Sequence, residues 1–187
     1  MVYVSELKTK LGLATASVEG GALTGFRFIG QKYCPQKTEN WIQMPTHPVF
    51  RQLEAWLESY FAGRNPVPDF VLNPQGTVFQ KKVWKVLLRI PYGEITTYGK
   101  IAGQLTAREG QDSMSARAVG GAVGHNPISL LIPCHRVVGA NGGLTGYAGG
   151  LDRKTALLRL EGANPQQTGT LPKIRMRSSR GFYDAVF

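Results

Sequence analysis

The chain of 187 residues is 42% hydrophobic and 18% charged, the balance of an ordinary folded protein long enough to bury a core in one domain or two small ones. Its apolar runs are too short to span a bilayer, and Glu6, Lys8 and Lys10 break up the N-terminus where a secretory signal needs an apolar block, so no membrane partner and a cytoplasmic location are expected. Lys and Arg number 22 against 12 Asp and Glu, and a formal charge of +10 without a strongly amphipathic basic helix favours nucleic acid over a membrane surface as the partner.

Along the chain, Tyr3 to Leu7, Leu11 to Val18 and Ala22 to Ile29 are β-prone, and Glu19-Gly20-Gly21 between the last two supplies the positive φ of a tight hairpin. Pro45 to Phe61 then sets Val49, Phe50, Leu53, Trp56, Leu57, Tyr60 and Phe61 at helical spacing, with Gly63 as a stop. Asn65-Pro66-Val67-Pro68 is an extended connector. A second region begins at Thr77, a candidate N-cap, from which Phe79, Val83, Trp84, Leu87 and Ile90 continue a helical stripe up to Pro91-Tyr92-Gly93. Thr97 to Leu105 and Ala116 to Val123 are two predicted short helices around a polar loop from Thr106 to Ser113, compatible with a helix-turn-helix or with any αα-hairpin. Leu151 to Leu160 forms the last helix with Gly162 at its end, and the aperiodic, cation-rich stretch beyond Asn164 reads as a basic tail. This organisation predicts an α/β (α+β) protein divided into 1–76, 77–163 and a tail over 164–187.

Chemistry concentrates in Ile132-Pro133-Cys134-His135-Arg136-Val137. A cysteine in an apolar segment such as Leu130-Leu131-Ile132 is ordinarily an inert core residue. Here, however, Cys134 stands beside His135 under a local excess of positive charge, and neighbouring cations lower a thiol's pKa and favour the reactive thiolate. Cys34 is the only other cysteine, and a reducing compartment leaves both as thiols. Consecutive side chains on an extended strand point to opposite sides, so Cys134 and His135 can address one substrate only if the backbone turns or a water bridges them. Glu161 falls at the C-terminal end of the last helix, where the helix dipole disfavours a carboxylate, and orienting a histidine would be a reason for it to be there. Gly139, Gly142, Gly143, Gly146, Gly149 and Gly150 make the intervening stretch a loop whose backbone can approach a flat ligand.

Pro133-Cys134-His135-Arg136-Val137, preceded by Asn126-Pro127-Ile128 and followed by Gly146-Tyr147-Ala148-Gly149-Gly150-Leu151, resembles the active-site signature of the O6-alkylguanine-DNA alkyltransferases, also called methylated-DNA–protein-cysteine methyltransferases. The likeness extends through Gly93-Glu94-Ile95-Thr96-Thr97-Tyr98, Ala116-Arg117-Ala118-Val119-Gly120-Gly121 and Leu157-Leu158-Arg159-Leu160-Glu161-Gly162, in the family's order. It implies a ribonuclease-H-like N-terminal domain, with a small antiparallel sheet and a helix, before a mainly helical domain containing a helix-turn-helix. The implied activity is direct reversal of DNA damage, in which Cys134 irreversibly takes the alkyl group from O6-alkylguanine, once per molecule and without a cofactor. Glu161 would orient His135, which draws the Cys134 proton through a water, and Tyr98 would donate to the purine ring nitrogen. Asn126 would be the hinge that joins the recognition helix to the active-site strand. Val137, Tyr147, Ala148 and Gly149 would form the base pocket. Arg117 would fill the space left by a base flipped through the minor groove, on a helix kept slim by Ala116, Ala118 and Gly120. The implied partner is double-stranded DNA containing alkylated guanine, met by a monomer, with cooperation along DNA left open. In a prokaryote the protein would be nucleoid-associated.

Three features depart from the pattern. The loop around Arg108 to Met114 is longer than usual, the basic tail lies outside the family core, and Cys34 with His47 cannot supply the four ligands of the zinc site found in some relatives, so no metal is expected. Other readings leave residues without a role: a non-catalytic lesion binder would not need Cys134. A cysteine hydrolase normally draws its base from a distant part of the chain, and a plain helix-turn-helix regulator leaves Cys134, His135 and Glu161 unemployed.

Overall fold

A computed structural model describes residues 1–34, 39–109 and 114–163, apart from the side chains of 108 and 109. The expected basic tail over 164–187 and residues 110–113 of the polar loop lie outside the described residues. Strands β1 (Val2–Thr9), β2 (Gly12–Glu19) and β3 (Ala22–Phe28) form an antiparallel meander. Gly20 and Gly21 turn the β2–β3 hairpin at φ of 58° and 77°, the left-handed pair that a two-residue hairpin loop requires.

The sheet is not purely antiparallel, as the sequence led us to expect. A fourth strand, β4 (Trp41–Gln43), pairs parallel to β1, giving the order β3-β2-β1-β4. Helix α1 (Pro48–Phe61) follows and buries the predicted stripe Val49, Phe50, Leu53, Trp56, Leu57, Tyr60 and Phe61. It begins three residues later than its expected start because Pro48 occupies the first turn, where the missing N–H costs nothing, and the His47 ring accepts from the Val49 N–H. Gly63 stops it at φ 80°.

Helix α2 (Val78–Leu87) starts in a capping box, in which the Thr77 hydroxyl accepts from the Gln80 N–H and the Gln80 side chain accepts from the Thr77 N–H. Helix α3 (Tyr98–Glu109) runs further than the Leu105 end expected for it, so residues 106–109 of the expected loop are helical. Helix α4 (Ala116–Gly124) is capped by Ser115. Trp84 of α2 donates from its indole nitrogen to the Ala122 carbonyl at 2.9 Å, which fixes α4 against the core. Helix α5 (Leu151–Leu160) ends at Glu161 and Gly162 as predicted.

Two long-range pairings position the site. The two-residue strands β5 (Thr96–Thr97) and β6 (Val137–Val138) pair in parallel and bring Tyr98 beside the segment that follows Cys134. The free edge of β3 is occupied by other parts of the chain, Leu23 bridging to Leu72 and Phe26 to Ile128. One hydrophobic cluster consequently runs from Leu7 and Phe28 through Trp84 to Cys134 and Leu157. Among the described residues, no helix is long and apolar enough to cross a membrane.

Candidate active site

Cys134, His135 and Arg136 form a single 3-10 turn rather than an extended strand, entered at Pro133 and left through β6. The turn lets adjacent side chains serve one site. Cys134 is 5% exposed, and its sulfur accepts from the Asn126 side-chain N–H at 3.1 Å. The same amide nitrogen donates to the Ile132 carbonyl at 2.8 Å, and the Asn126 carbonyl oxygen accepts from the Ile128 N–H at 3.0 Å. Because Asn126 follows directly on the end of α4 at His125, one side chain ties that helix to the Cys134 sulfur.

His135 is fully buried. Its Nε2 lies 2.8 Å from Glu161 Oε1, and a carboxylate can only accept, so Nε2 carries the proton and the neutral ring presents its lone pair at Nδ1. Nδ1 is buried and meets no hydrogen-bonding partner among the described residues. Burial lowers the histidine's pKa, more than the Glu161 carboxylate raises it. His135 is therefore a neutral base at ordinary pH.

Glu161 is also buried and accepts from three further residues. The Arg136 guanidinium grips both oxygens, Nε to Oε2 at 2.8 Å and Nη2 to Oε1 at 2.9 Å. The Tyr60 hydroxyl donates to Oε1 at 2.6 Å, and the Gly93 N–H donates to Oε2 at 3.3 Å. Burial pushes the carboxyl's pKa up, but His135 and the bidentate Arg136 together outweigh it and hold Glu161 well below the usual carboxylate range. Tyr60 is moved the other way, far above an ordinary phenol, by burial and by the adjacent carboxylate.

The expectation that local cations lower the Cys134 pKa is corrected. Burial dominates and raises it, while the Asn126 amide, the Lys154 ammonium and the backbone N–H groups of Cys134 and His135 pull only partly against it. Arg136 faces Glu161 and the Ile90 carbonyl instead of the sulfur. The resting side chain is a thiol.

The cation that does act on the sulfur is Lys154, a fully buried side chain whose ammonium donates to the Val137 carbonyl at 2.6 Å and the Thr145 carbonyl at 2.8 Å. Burial lowers its pKa to about 8 against the raising effect of Cys134. Sequence reading missed Lys154 and Tyr60. Lys154 sits in Asp152-Arg153-Lys154, which looks like a solvated helix start, but a tyrosine in an otherwise apolar buried stripe signals that its hydroxyl needs a partner.

Tyr98 is half-buried and donates to the Thr145 carbonyl at 3.0 Å. A Cβ at Gly120 would stand 3.8 Å from the Tyr98 ring, and one at Gly146 would stand 2.7 Å from its hydroxyl oxygen. Val137, Tyr147 and Gly149 are buried, and Ala148 is partly exposed. The Tyr147 hydroxyl has no hydrogen bond of good geometry, although Ser129 is near enough to offset slightly the large upward pKa shift that burial and Cys134 impose. Ala116, Arg117 and Ala118 are exposed on the first turn of α4, away from the buried Val119. Hydrogen bonds thus join Asn126 to Cys134 and His135 to Glu161, while Arg117 stays on the surface, outside that network.

Residues 78–163 match the model of the 6-O-methylguanine DNA methyltransferase, DNA binding domain. A Mycobacterium tuberculosis protein named methylated-DNA–protein-cysteine methyltransferase is 45% identical over 161 residues, covering 86% of this chain and 93% of the relative. A Methanosarcina acetivorans protein of the same name is 41% identical, covering 87% and 99%. A crystal structure of Mycobacterium tuberculosis OGT in complex with DNA superposes with a TM-score of 0.76 at 43% identity, over 86% of this chain and 92% of that one.

Proposed function

Because the chain belongs to the methylated-DNA–protein-cysteine methyltransferase family, we propose that it repairs O6-alkylguanine in double-stranded DNA by moving the alkyl group onto Cys134, once and irreversibly. The observation that carries this reading is the pair of contacts Asn126–Cys134 at 3.1 Å and His135–Glu161 at 2.8 Å, which sets a held sulfur beside a histidine with a free basic nitrogen.

In the reaction, a water between Cys134 and Nδ1 of His135 carries the thiol proton to the ring as the sulfur attacks the alkyl carbon. The carbon–O6 bond breaks and its electron pair returns to the purine; Tyr98 gives its proton to the ring nitrogen so that repaired guanine leaves as a neutral base, and the proton held by the His135 imidazolium returns through solvent to the Tyr98 phenolate. Glu161 stabilises the imidazolium that forms, while Arg136 and Tyr60 keep that carboxylate ionised and in place. Lys154 adds positive charge for the developing thiolate. S-alkylcysteine has no route back to the thiol here, so turnover is stoichiometric.

The target carbon is inaccessible inside a duplex, and extruding the base costs about a few kcal/mol. Arg117, exposed at the start of α4 with Ala116, Ala118 and Gly120, is the residue we assign to the vacated space. Helices α3 and α4 would act as the helix-turn-helix, reading the minor groove with little sequence preference. Residues 77–163 would carry this chemistry and 1–76, of ribonuclease-H-like type, would support it, in a monomer working in the reducing cytoplasm.

The test is incubation with duplex DNA carrying O6-methylguanine, followed by mass analysis of the peptide containing Cys134. One methyl group on that sulfur and a single event per molecule are expected. Repeated turnover, or an acyl adduct with an ester substrate, would overturn the reading. Cys134→Ala should abolish transfer and keep DNA binding. Arg117→Ala should slow repair of duplex far more than reaction with free O6-benzylguanine, and equal losses on both would refute the role given to Arg117.

A further inference from the structure

We propose that Tyr33 is a positioning residue for duplex repair: with Gln31 and Lys32 it forms a strap from the N-terminal sheet that holds the recognition helix and the base-pocket loop in one fixed relation. This rests on the alkyl-transfer reading of Cys134. The segment leaves β3 and touches three separate parts of the site region. The Gln31 side chain is buried, and its carbonyl oxygen accepts from the Phe28 N–H at 2.9 Å and from the Ser129 hydroxyl at 3.3 Å. The Lys32 N–H donates to the Ala148 carbonyl at 3.1 Å. The Tyr33 ring stacks on His125, centroids 4.0 Å apart and planes 27° from parallel, with Gly124 at its edge.

These targets are the parts that a flipped base must bridge. His125 is the C-cap of α4, the helix that bears Arg117, and its Nδ1–H donates to the Gly121 carbonyl at 2.7 Å, so the ring that Tyr33 covers is locked to the helix. It also precedes Asn126, the hydrogen-bond donor to the Cys134 sulfur. Ala148 lies in the loop assigned to the base pocket, and Ser129 lies on the stretch between Asn126 and Cys134.

Tyr33 holds its place at a backbone cost. Its φ is 60°, in the left-handed region that a bulky residue avoids, and the residue remains 59% exposed. Burial does not explain a strained, largely exposed tyrosine, whereas the stack on His125 does. When Arg117 presses into a duplex, α4 is loaded at its first turn, and a clamp on its last turn resists tilting away from the pocket. A free base enters the pocket without loading α4.

The full-length chain and its Tyr33→Ala and Tyr33→Phe variants are compared in single-turnover methyl transfer from saturating O6-methylguanine duplex and in alkyl transfer from free O6-benzylguanine. Tyr33→Ala should lower the saturating duplex rate constant about threefold to tenfold, the size of one aromatic stack, and change the free-base rate by less than about twofold. Tyr33→Phe keeps the ring and should restore the duplex rate. An unchanged duplex rate in Tyr33→Ala, equal loss on both substrates, or failure of Tyr33→Phe to recover would overturn the strap. If the wild-type chain itself takes no methyl group, the strap and the alkyl-transfer reading fall together, whereas wild-type reaction with any of the previous three results removes the strap alone.

Discussion

Replacing Glu161 by Gln separates the structural work of this carboxylate from its chemical work. In the native site the buried carboxylate faces the Arg136 guanidinium through two hydrogen bonds of 2.8 and 2.9 Å, and the arginine side chain is only 10% exposed. Removing the negative charge leaves a buried cation with one neutral oxygen and an amide that points donors at other donors. Breaking a buried pair in this way costs ~3–5 kcal/mol, and because Arg136 keeps the Ile90 carbonyl at 2.6 Å the lower end is the expected value. For a chain of this size ~3 kcal/mol lowers the melting temperature by about 6–12 °C.

The double variant Arg136→Met/Glu161→Gln removes the stranded cation as well and should recover most of that loss, since well-packed neutral replacements for buried pairs are often tolerated. Alkyl transfer should not recover with it. The substituted amide could still accept from His135 Nε2 and keep the tautomer, but it cannot stabilise the imidazolium, so both variants should react at least about tenfold more slowly with free O6-benzylguanine at a temperature where all are folded. Thermal melts and single-turnover rates on the same samples decide the matter. A melting temperature unchanged by Glu161→Gln would refute the buried-pair account, and a rate that returns in the double variant would refute the role given to Glu161 in stabilising the imidazolium.

The same carboxylate sets an acid limit: its folded pKa lies below the ordinary 4.5, so its stabilisation is fully present above that value and is lost as pH falls below it. Denaturation in acid should be steeper for the wild type than for the double variant. His135, whose pKa is lowered by burial, should remain a neutral base at its ordinary value of 6.5, so the rate with free O6-benzylguanine should hold through pH 6.5 and fall only in more acidic solution. An acid limb centred above 6.5 in the rate profile would contradict the buried neutral imidazole. Asn126→Ala removes the partners of the Ile132 carbonyl, the Ile128 N–H and the Cys134 sulfur together, and should cost ~2–4 kcal/mol in denaturant unfolding. Gly146→Ala should slow alkyl transfer with DNA affinity kept, because φ is 71° there and the new methyl group would displace Tyr98; titration and rate measurements on methylated duplex check both halves.

Sequence periodicity reveals which face of an element is buried, but it is silent on which distant polar group a side chain meets. The three-strand meander, the stripe of α1 and the N-cap of α2 were legible because each is specified within about a dozen residues by alternation, helical spacing or a glycine pair. Strand β4 and the β5–β6 pair were not, since two or three residues carry no periodic signal and the pairing is decided by a remote edge. The position of Glu161 against its helix dipole did indicate a partner, and His135 is one. Tyr60 and Arg136 share that carboxylate through contacts 101 and 25 residues apart in sequence, which no local pattern records.

The state of Cys134 shows how tertiary structure can reverse a local electrostatic argument. Read as sequence, His135 and Arg136 supply cations beside a thiol. In the folded chain the histidine is neutral, the arginine is neutralised by Glu161, and burial holds the sulfur protonated despite Lys154. A permanently exposed thiolate would react with any electrophile and inactivate a protein that can act only once. A buried thiol beside a neutral base is instead silent until proton transfer accompanies attack on a bound alkyl group. The energy opposing thiolate formation at rest is therefore a source of selectivity, and it predicts that small thiol-directed reagents alkylate Cys134 more slowly than the exposed Cys34 in the unliganded protein, as peptide mass analysis over a time course would show.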